Sequence, residues 1–163
     1  MGGNMSGKSY ITQDMKDHIG VEEILGSIEI EKGAIIKFAQ AIDDQNPLFQ
    51  QESIASKSNN RGIVAPPTFL RSVDAACALL DTESKIDIIP EHFNARVDGG
   101  SEWEYFGHVR PGDTITVTKT IQEIFERSGR MGEMLFVVSL TKYVNQLEEL
   151  ITTQTTTGIC YQA

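Results

Sequence analysis

The chain has 163 residues, 40% of them hydrophobic and 23% charged, with a net charge of −9. That length suits one domain with a sizeable core. The acidic balance, with no cluster of Lys and Arg, excludes nucleic acid as the main partner, because binding phosphates needs concentrated positive charge. No apolar run approaches the ~20 residues needed to cross a bilayer, so no membrane partner is expected. The two cysteines, Cys77 and Cys160, are far apart and form no CxxC pair. They fit a reducing, cytoplasmic setting and argue against a zinc site, and no metal is expected.

MGGNMSGKS has the small, polar composition of a frayed terminus. Residues 1–15 are expected to be disordered, ahead of a single domain over residues 16–163. EKGAIIKFAQAI (Glu31 to Ile42) places Ala34, Ile35, Phe38, Ala39 and Ile42 on one helical face. The stretch DDQNP ends that helix, since Pro47 disfavours helical geometry at Asn46. A short helix follows within Gln50 to Asn60. Pro67 then opens a long helix, because its missing N–H is surplus at a first helical position. Phe69, Leu70, Val73, Ala76, Cys77 and Leu80 recur along one face of that helix, and Ala75, Ala76 and Ala78 allow close packing against a sheet.

After Pro90 the pattern becomes strand-like. Ser101 to Tyr105 reads as a strand, RPGD (Arg110 to Asp113) as a turn, and Thr114 to Phe125 as a β-branched strand. RSGRMG (Arg127 to Gly132) reads as a second turn, followed by strands over Glu133 to Val144 and Glu149 to Tyr161. Long strands joined by short turns form an antiparallel meander curled around one helix. The expected fold class is α+β, a single hot-dog domain whose sheet is continued by dimerisation.

Four stretches, FAQAIDDQNPLF, GIVAPPTFL, GGSEWEYFGHVRPGD and YVNQLEEL, resemble the MaoC-like acyl dehydratase and R-specific enoyl-CoA hydratase family, in its N-terminal-domain branch. The likeness runs from about Ile28 to the end of the chain, with the motifs in the family's order. It implies reversible hydration of a trans-2-enoyl thioester carried on coenzyme A or acyl carrier protein, with no permanently bound cofactor. Catalytic members carry a G-D-x-N-P-aliphatic-H loop whose Asp and His bind a water and move protons. A following A-H-G segment offers a backbone N–H to the thioester oxygen.

Against that pattern, Asp44 matches the aspartate, Asn46 and Pro47 the turn, and Leu48 the aliphatic position. Asp43 stands in place of the glycine and Phe49 in place of the histidine. Ala65 matches the alanine, while Pro66 replaces the second histidine and Pro67 the glycine, which removes the N–H. A positioned acid–base group contributes ~10²–10⁴-fold, and an oxyanion donor ~10²–10³-fold. A chain lacking both implies the pocket-forming, weakly catalytic or non-catalytic partner of a homodimer or heterodimer that includes a catalytic MaoC-like subunit. The candidate catalytic residues are Asp44 and Asn46; the candidate acyl-pocket residues are Phe49, Ala65, Pro66, Phe69 and Trp103.

Other readings of the same residues stand beside these. Asp44 and Asn46 suit a turn with no chemical role, Phe49 an ordinary core position, and Trp103 with Tyr105 a core or dimer face. His92 or His108 could replace the missing base and make a self-sufficient homodimeric hydratase, or the chain could bind acyl thioesters without turnover. Arg110 and Arg127 suit cofactor phosphates or solvated turns.

Overall fold

The structure, a computed structural model, describes residues 9–80, 88–130 and 132–163. Its frame is one antiparallel sheet of five strands, β1 (Glu22–Glu29), β2 (Ala95–Tyr105), β3 (Thr114–Gly129), β4 (Gly132–Val144) and β5 (Leu150–Tyr161), in the order β1-β3-β4-β5-β2. Short helices α1 (Gln13–Asp17), α3 (Pro47–Gln50) and α4 (Glu52–Ala55) accompany α2 (Lys32–Ala41). A 3₁₀ turn over Pro67–Phe69 leads into the central helix, α5 (Leu70–Leu80). This is the hot-dog layout, with the sheet curled around α5.

The meander forms because β3, β4 and β5 are long and joined by tight turns. β3 runs to Gly129 rather than Phe125, since its pairing with β4 continues to the Gly129–Gly132 pair and leaves only a short turn. A bulge between Ile121 and Glu123 shifts the register. That bulge explains why β3 alternates only in part: Ile115 and Val117 face the core before it and Ile124 after it. The sequence pattern does not foreshadow β1. Its alternation is broken at a bulge between Ile24 and Gly26, where Gly26 adopts φ +154 and a Cβ would lie 3.2 Å from Cys77 Sγ. The glycine lets α5 lie directly on the strand.

α2 falls within the expected span, but only Ile35 and Ala39 of the expected face are buried, with Phe38 packed beside them. Ala34 and Ile42 are exposed, and Ile36 packs on the core instead. On the central helix Phe69, Leu70, Val73 and Cys77 are buried; the side chains expected at Ala78 and Leu80 lie outside the described residues. The expectation of disorder over residues 1–15 is corrected from Ser9 onward, residues 1–8 lying outside the described set. Thr12 caps α1 and Met15 is fully buried against Phe93, Ile124, Leu135 and Cys160, contacts invisible in a short polar stretch.

Candidate functional site

All four motif-bearing stretches meet at one end of the sheet. The loop after α2 is closed by the Asp44 N–H donating to Ala39 O at 2.9 Å. Asp43 has φ 54, a left-handed conformation that explains why a glycine suits this position, and its carboxylate accepts from Gln45 Nε2 at 2.7 Å. Asp44 Oδ1 accepts the Asn46 N–H at 2.9 Å, and Asn46 Oδ1 accepts the Leu48 N–H at 3.1 Å, capping α3 with Pro47 at its start. Both candidate catalytic side chains therefore bond to their own loop's backbone.

Phe49 turns inward and packs with Ala39 and Val64 in a small apolar cluster. Val64 N–H donates to Leu48 O at 3.3 Å, and Ala65 N–H to Val109 O at 2.9 Å. These two bonds tie the NPLF loop to the VAPP segment and that segment to HVRPGD. Phe69 continues into the main core, edge-on to Phe38 with ring centroids 5.5 Å apart.

Beside this junction a cleft of about 480 Å³ opens at the start of the central helix. Ala65, Pro66, Pro67 and Leu70 form one side, Tyr105 to Val109 another, and Thr152 projects from β5. Its polar side chains are Thr152, Tyr105 and His108. The Thr152 hydroxyl is the one fully buried side-chain polar atom without a hydrogen-bond partner among the described residues. Tyr105 OH donates to Pro67 O at 3.2 Å, and burial pushes its phenol pKa up. Pro67 occupies the first position of the 3₁₀ turn, so the helix start lacks one N–H where the family pattern has a donor.

Of the sequence-derived candidates, Ala65 and Pro66 line this cleft. Asp44, Asn46, Phe49, Phe69 and Trp103 line neither it nor a second cleft, of about 510 Å³, beneath α5. Trp103 stacks instead between Tyr105 and Tyr143, at 6.1 and 5.9 Å. The two candidate histidines lie beyond opposite ends of β2. His92 packs on Phe93 and Tyr10, whereas His108 lines the helix-start cleft. No histidine nitrogen lies within 4.0 Å of an Asp44 oxygen among the described residues.

Neither arginine is a simple solvated turn charge. Arg110 donates to Asn60 O, and Arg127 lies over the Phe125 and Phe136 rings at 5.1 and 5.4 Å. The RPGD and YVNQLEEL motifs are turn chemistry: Asp113 accepts from Arg110 N–H and Gln146 Nε2, and Asn145 Oδ1 accepts from Leu147 and Glu149 N–H. Among the described residues no group of three His, Cys, Asp or Glu is placed to hold a metal, and no helix is long and apolar enough to cross a membrane. Thr152 was missed by sequence reasoning because a lone Thr in TTQTTT carries no signal beyond strand propensity.

Comparison with known proteins agrees with this layout. The family model described as FAS1-like, dehydratase domain region, matches residues 17–154. A UPF0336 protein of Thermobifida fusca (strain YX) is 31% identical over 128 residues, covering 76% of this chain and 80% of that one. A probable enoyl-CoA hydratase alpha subunit of Thermomonospora curvata is 26% identical over 128 residues, covering 72% of this chain but 40% of its own length. Among solved structures, the HadBC (3R-hydroxyacyl-ACP dehydratase) complex of Mycobacterium tuberculosis superposes with a TM-score of 0.72 at 23% identity, covering 88% of this chain and 97% of that one. The MaoC-like dehydratase of Rhodospirillum rubrum gives 0.71 at 20%, covering 89% and 93%. The resemblance to MaoC-like dehydratases carried by the four motifs holds.

Proposed function

This chain belongs to the FAS1-like, dehydratase domain region family, and we propose that it serves as the pocket-forming, non-catalytic partner of an enoyl-thioester hydratase or 3-hydroxyacyl-thioester dehydratase. The observation that carries the reading is the helix-start cleft, where Pro67 removes the oxyanion donor and, among the described residues, no Asp–His pair faces the space. Hydration needs one proton delivered, one removed, and the developing charge on the thioester oxygen stabilised. Here Asp44 is engaged with the Asn46 amide, and the position that would hold its histidine is Phe49, buried in an apolar cluster.

What the cleft offers is binding. Apolar side chains of Ala65, Pro66, Leu70, Phe106 and Val109 surround it, and Thr152 supplies one free hydroxyl to orient a ligand. The substrate on this reading is an acyl thioester of coenzyme A or acyl carrier protein, and the acid–base groups come from a second hot-dog chain. β2, with 11 residues at the sheet edge, offers unpaired backbone groups for such a partner to extend. For the reading with a substitute histidine, neither His92 nor His108 makes a direct contact within 4.0 Å of an Asp44 oxygen.

The test is reconstitution. The chain is co-expressed with a hot-dog subunit carrying an intact D-x-N-P-x-H loop, the complex is purified, and crotonyl-CoA hydration is followed by loss of enoyl absorbance. Co-purification with turnover by the pair supports the proposal, and failure of the two chains to associate contradicts it.

A further inference from the structure

The centre of the sheet's concave face is polar where a covering helix would ordinarily meet aliphatic side chains. Two consecutive cross-strand rows carry it. One runs Glu23, Lys119, Thr141, Gln154 and Trp103 across all five strands. The next runs Ile121, Ser139, Thr156 and Ser101. This band separates the two larger apolar clusters, one around Phe69, Val73, Ile115 and Tyr143 and the other around Met15, Phe93 and Leu135.

Over the band lies the second cleft, about 510 Å³, with Arg71 and Asp74 of α5 on its helix side and Ser139, Thr141, Gln154 and Thr156 along its floor. Arg71 and Asp74 pair with each other at 2.8 Å. Gln154 is satisfied, accepting from Tyr143 OH and donating to Ser101 Oγ, both at 3.2 Å. Ser139 and Thr141 are different. The residues are 5% and 4% exposed, and their hydroxyls, with no hydrogen bond among the described residues and not sealed as that of Thr152 is, open into the cleft. Such groups are costly in a dry apolar cavity and favourable only when something polar meets them.

The band also lies close to the helix-start cleft along the sheet. Thr152 of the helix-start cleft and Gln154 of this one are two positions apart on the same face of β5, roughly 7 Å at ~3.3 Å per residue. The two clefts share no lining residue, and the fully buried Tyr143 ring sits on the row of Thr152 beside them, so a thioester seated at the helix start reaches the band only when this packing opens.

We propose that the cleft beneath α5 selects an acyl group bearing a neutral oxygen substituent, a hydroxyl or ketone, on its distal part, with Thr141 and Ser139 as the specificity-determining residues. This inference rests on the acyl-thioester reading above and adds the substrate class to it. A plain alkyl tail would leave both hydroxyls unpaired, whereas an oxygenated tail accepts from one and donates to or accepts from the other.

The test measures binding, separately from turnover. Hexanoyl-CoA and 6-hydroxyhexanoyl-CoA are titrated into the full-length chain by calorimetry, then into Thr141→Val and Ser139→Ala. The expected result is a preference of about tenfold for the hydroxylated thioester, lost in Thr141→Val and reduced in Ser139→Ala, while hexanoyl-CoA affinity is kept or improved. Thr141→Val keeps the side-chain shape, and its urea midpoint verifies that the fold is intact. Equal or tighter binding of hexanoyl-CoA by the unaltered chain, or a preference that survives both substitutions, overturns the proposal, as does binding of neither thioester. A preference found in a chain that fails the reconstitution assay supports the specificity while contradicting the hydratase-partner reading, so the two failures are distinguishable.

Discussion

The Asp44 carboxylate accepts the backbone N–H of Asn46 at 2.9 Å, two residues along the same loop. A carboxylate held this way closes an Asx turn. Asparagine presents the same acceptor oxygen and carries no proton-transfer chemistry. Asp44→Asn is therefore expected to leave both stability and the activity of any reconstituted complex close to unchanged. Asp44→Ala is expected to cost about 1 kcal/mol of stability through the lost turn bond. Urea denaturation of the two variants, with hydration rates of the complex, checks this; a loss of rate in Asp44→Asn at unchanged stability would assign the carboxylate a chemical role.

The neighbouring Asp43 sits at φ 54. Left-handed backbone costs an L-residue roughly 1–2 kcal/mol, less for Asp, which bonds locally. Asp43→Gly is expected to shift stability by no more than about 1 kcal/mol, gain of backbone ease offsetting unfolded-state entropy and the lost Gln45 contact. Asp43→Val is expected to destabilise by more than that, since a β-branched side chain fits this region poorly. Thermal melts of the pair rank the two effects.

In the helix-start cleft, Thr152 buries a hydroxyl with no partner. Thr152→Val keeps the shape and removes the unsatisfied group, so a stability gain of about 1 kcal/mol is expected in the unliganded protein, together with weaker acyl-thioester binding. A stability loss in the urea midpoint would mean that the hydroxyl is satisfied in solution.

Alkaline pH should weaken the fold through Tyr143 and Cys77. Burial, then the nearby Asp74 carboxylate, pushes the Tyr143 phenol well above its ordinary value of 10.0, and the same two causes raise the Cys77 thiol above 9.0. Both groups stay protonated in the folded state at pH values where the unfolded chain has ionised. Their contribution is therefore complete below the unfolded values and is lost as pH rises from about 9 to 10 toward the folded ones. Tyr143→Phe is expected to lower stability near neutrality by about 1 kcal/mol, leaving Gln154 Oε1 without its donor, and to flatten the decline above pH 10. Urea midpoints measured from pH 7 to 11 on both proteins decide it; parallel curves would contradict the assignment.

The long elements were legible because each carries its own periodicity. The span of α2, the face of α5 and the β-branched runs of β3 to β5 repeat over enough residues to outweigh local noise. The face of α2 was only partly read, since Ala34 and Ile42 are exposed and Ile36 packs inward. β1 and α1 were not, because a bulge interrupts one and the other is a single turn held by Met15 in a distant cluster. The motif substitutions at Phe49 and Pro67 could be read residue by residue. Their consequence could not, since it depends on the Phe49 ring packing against Val64 rather than facing a cavity. The polar band was hidden for a related reason: Glu23, Lys119, Thr141 and Gln154 come from four separate strands, and only the sheet register lines them up.

The central claim is that this chain shapes an acyl pocket without performing the chemistry. The most direct measurement is crotonyl-CoA hydration by the purified chain alone, followed by loss of enoyl absorbance. The account predicts no turnover above the buffer rate and no change on Asp44→Ala. Rapid turnover by the chain alone, abolished by Asp44→Ala, would contradict it.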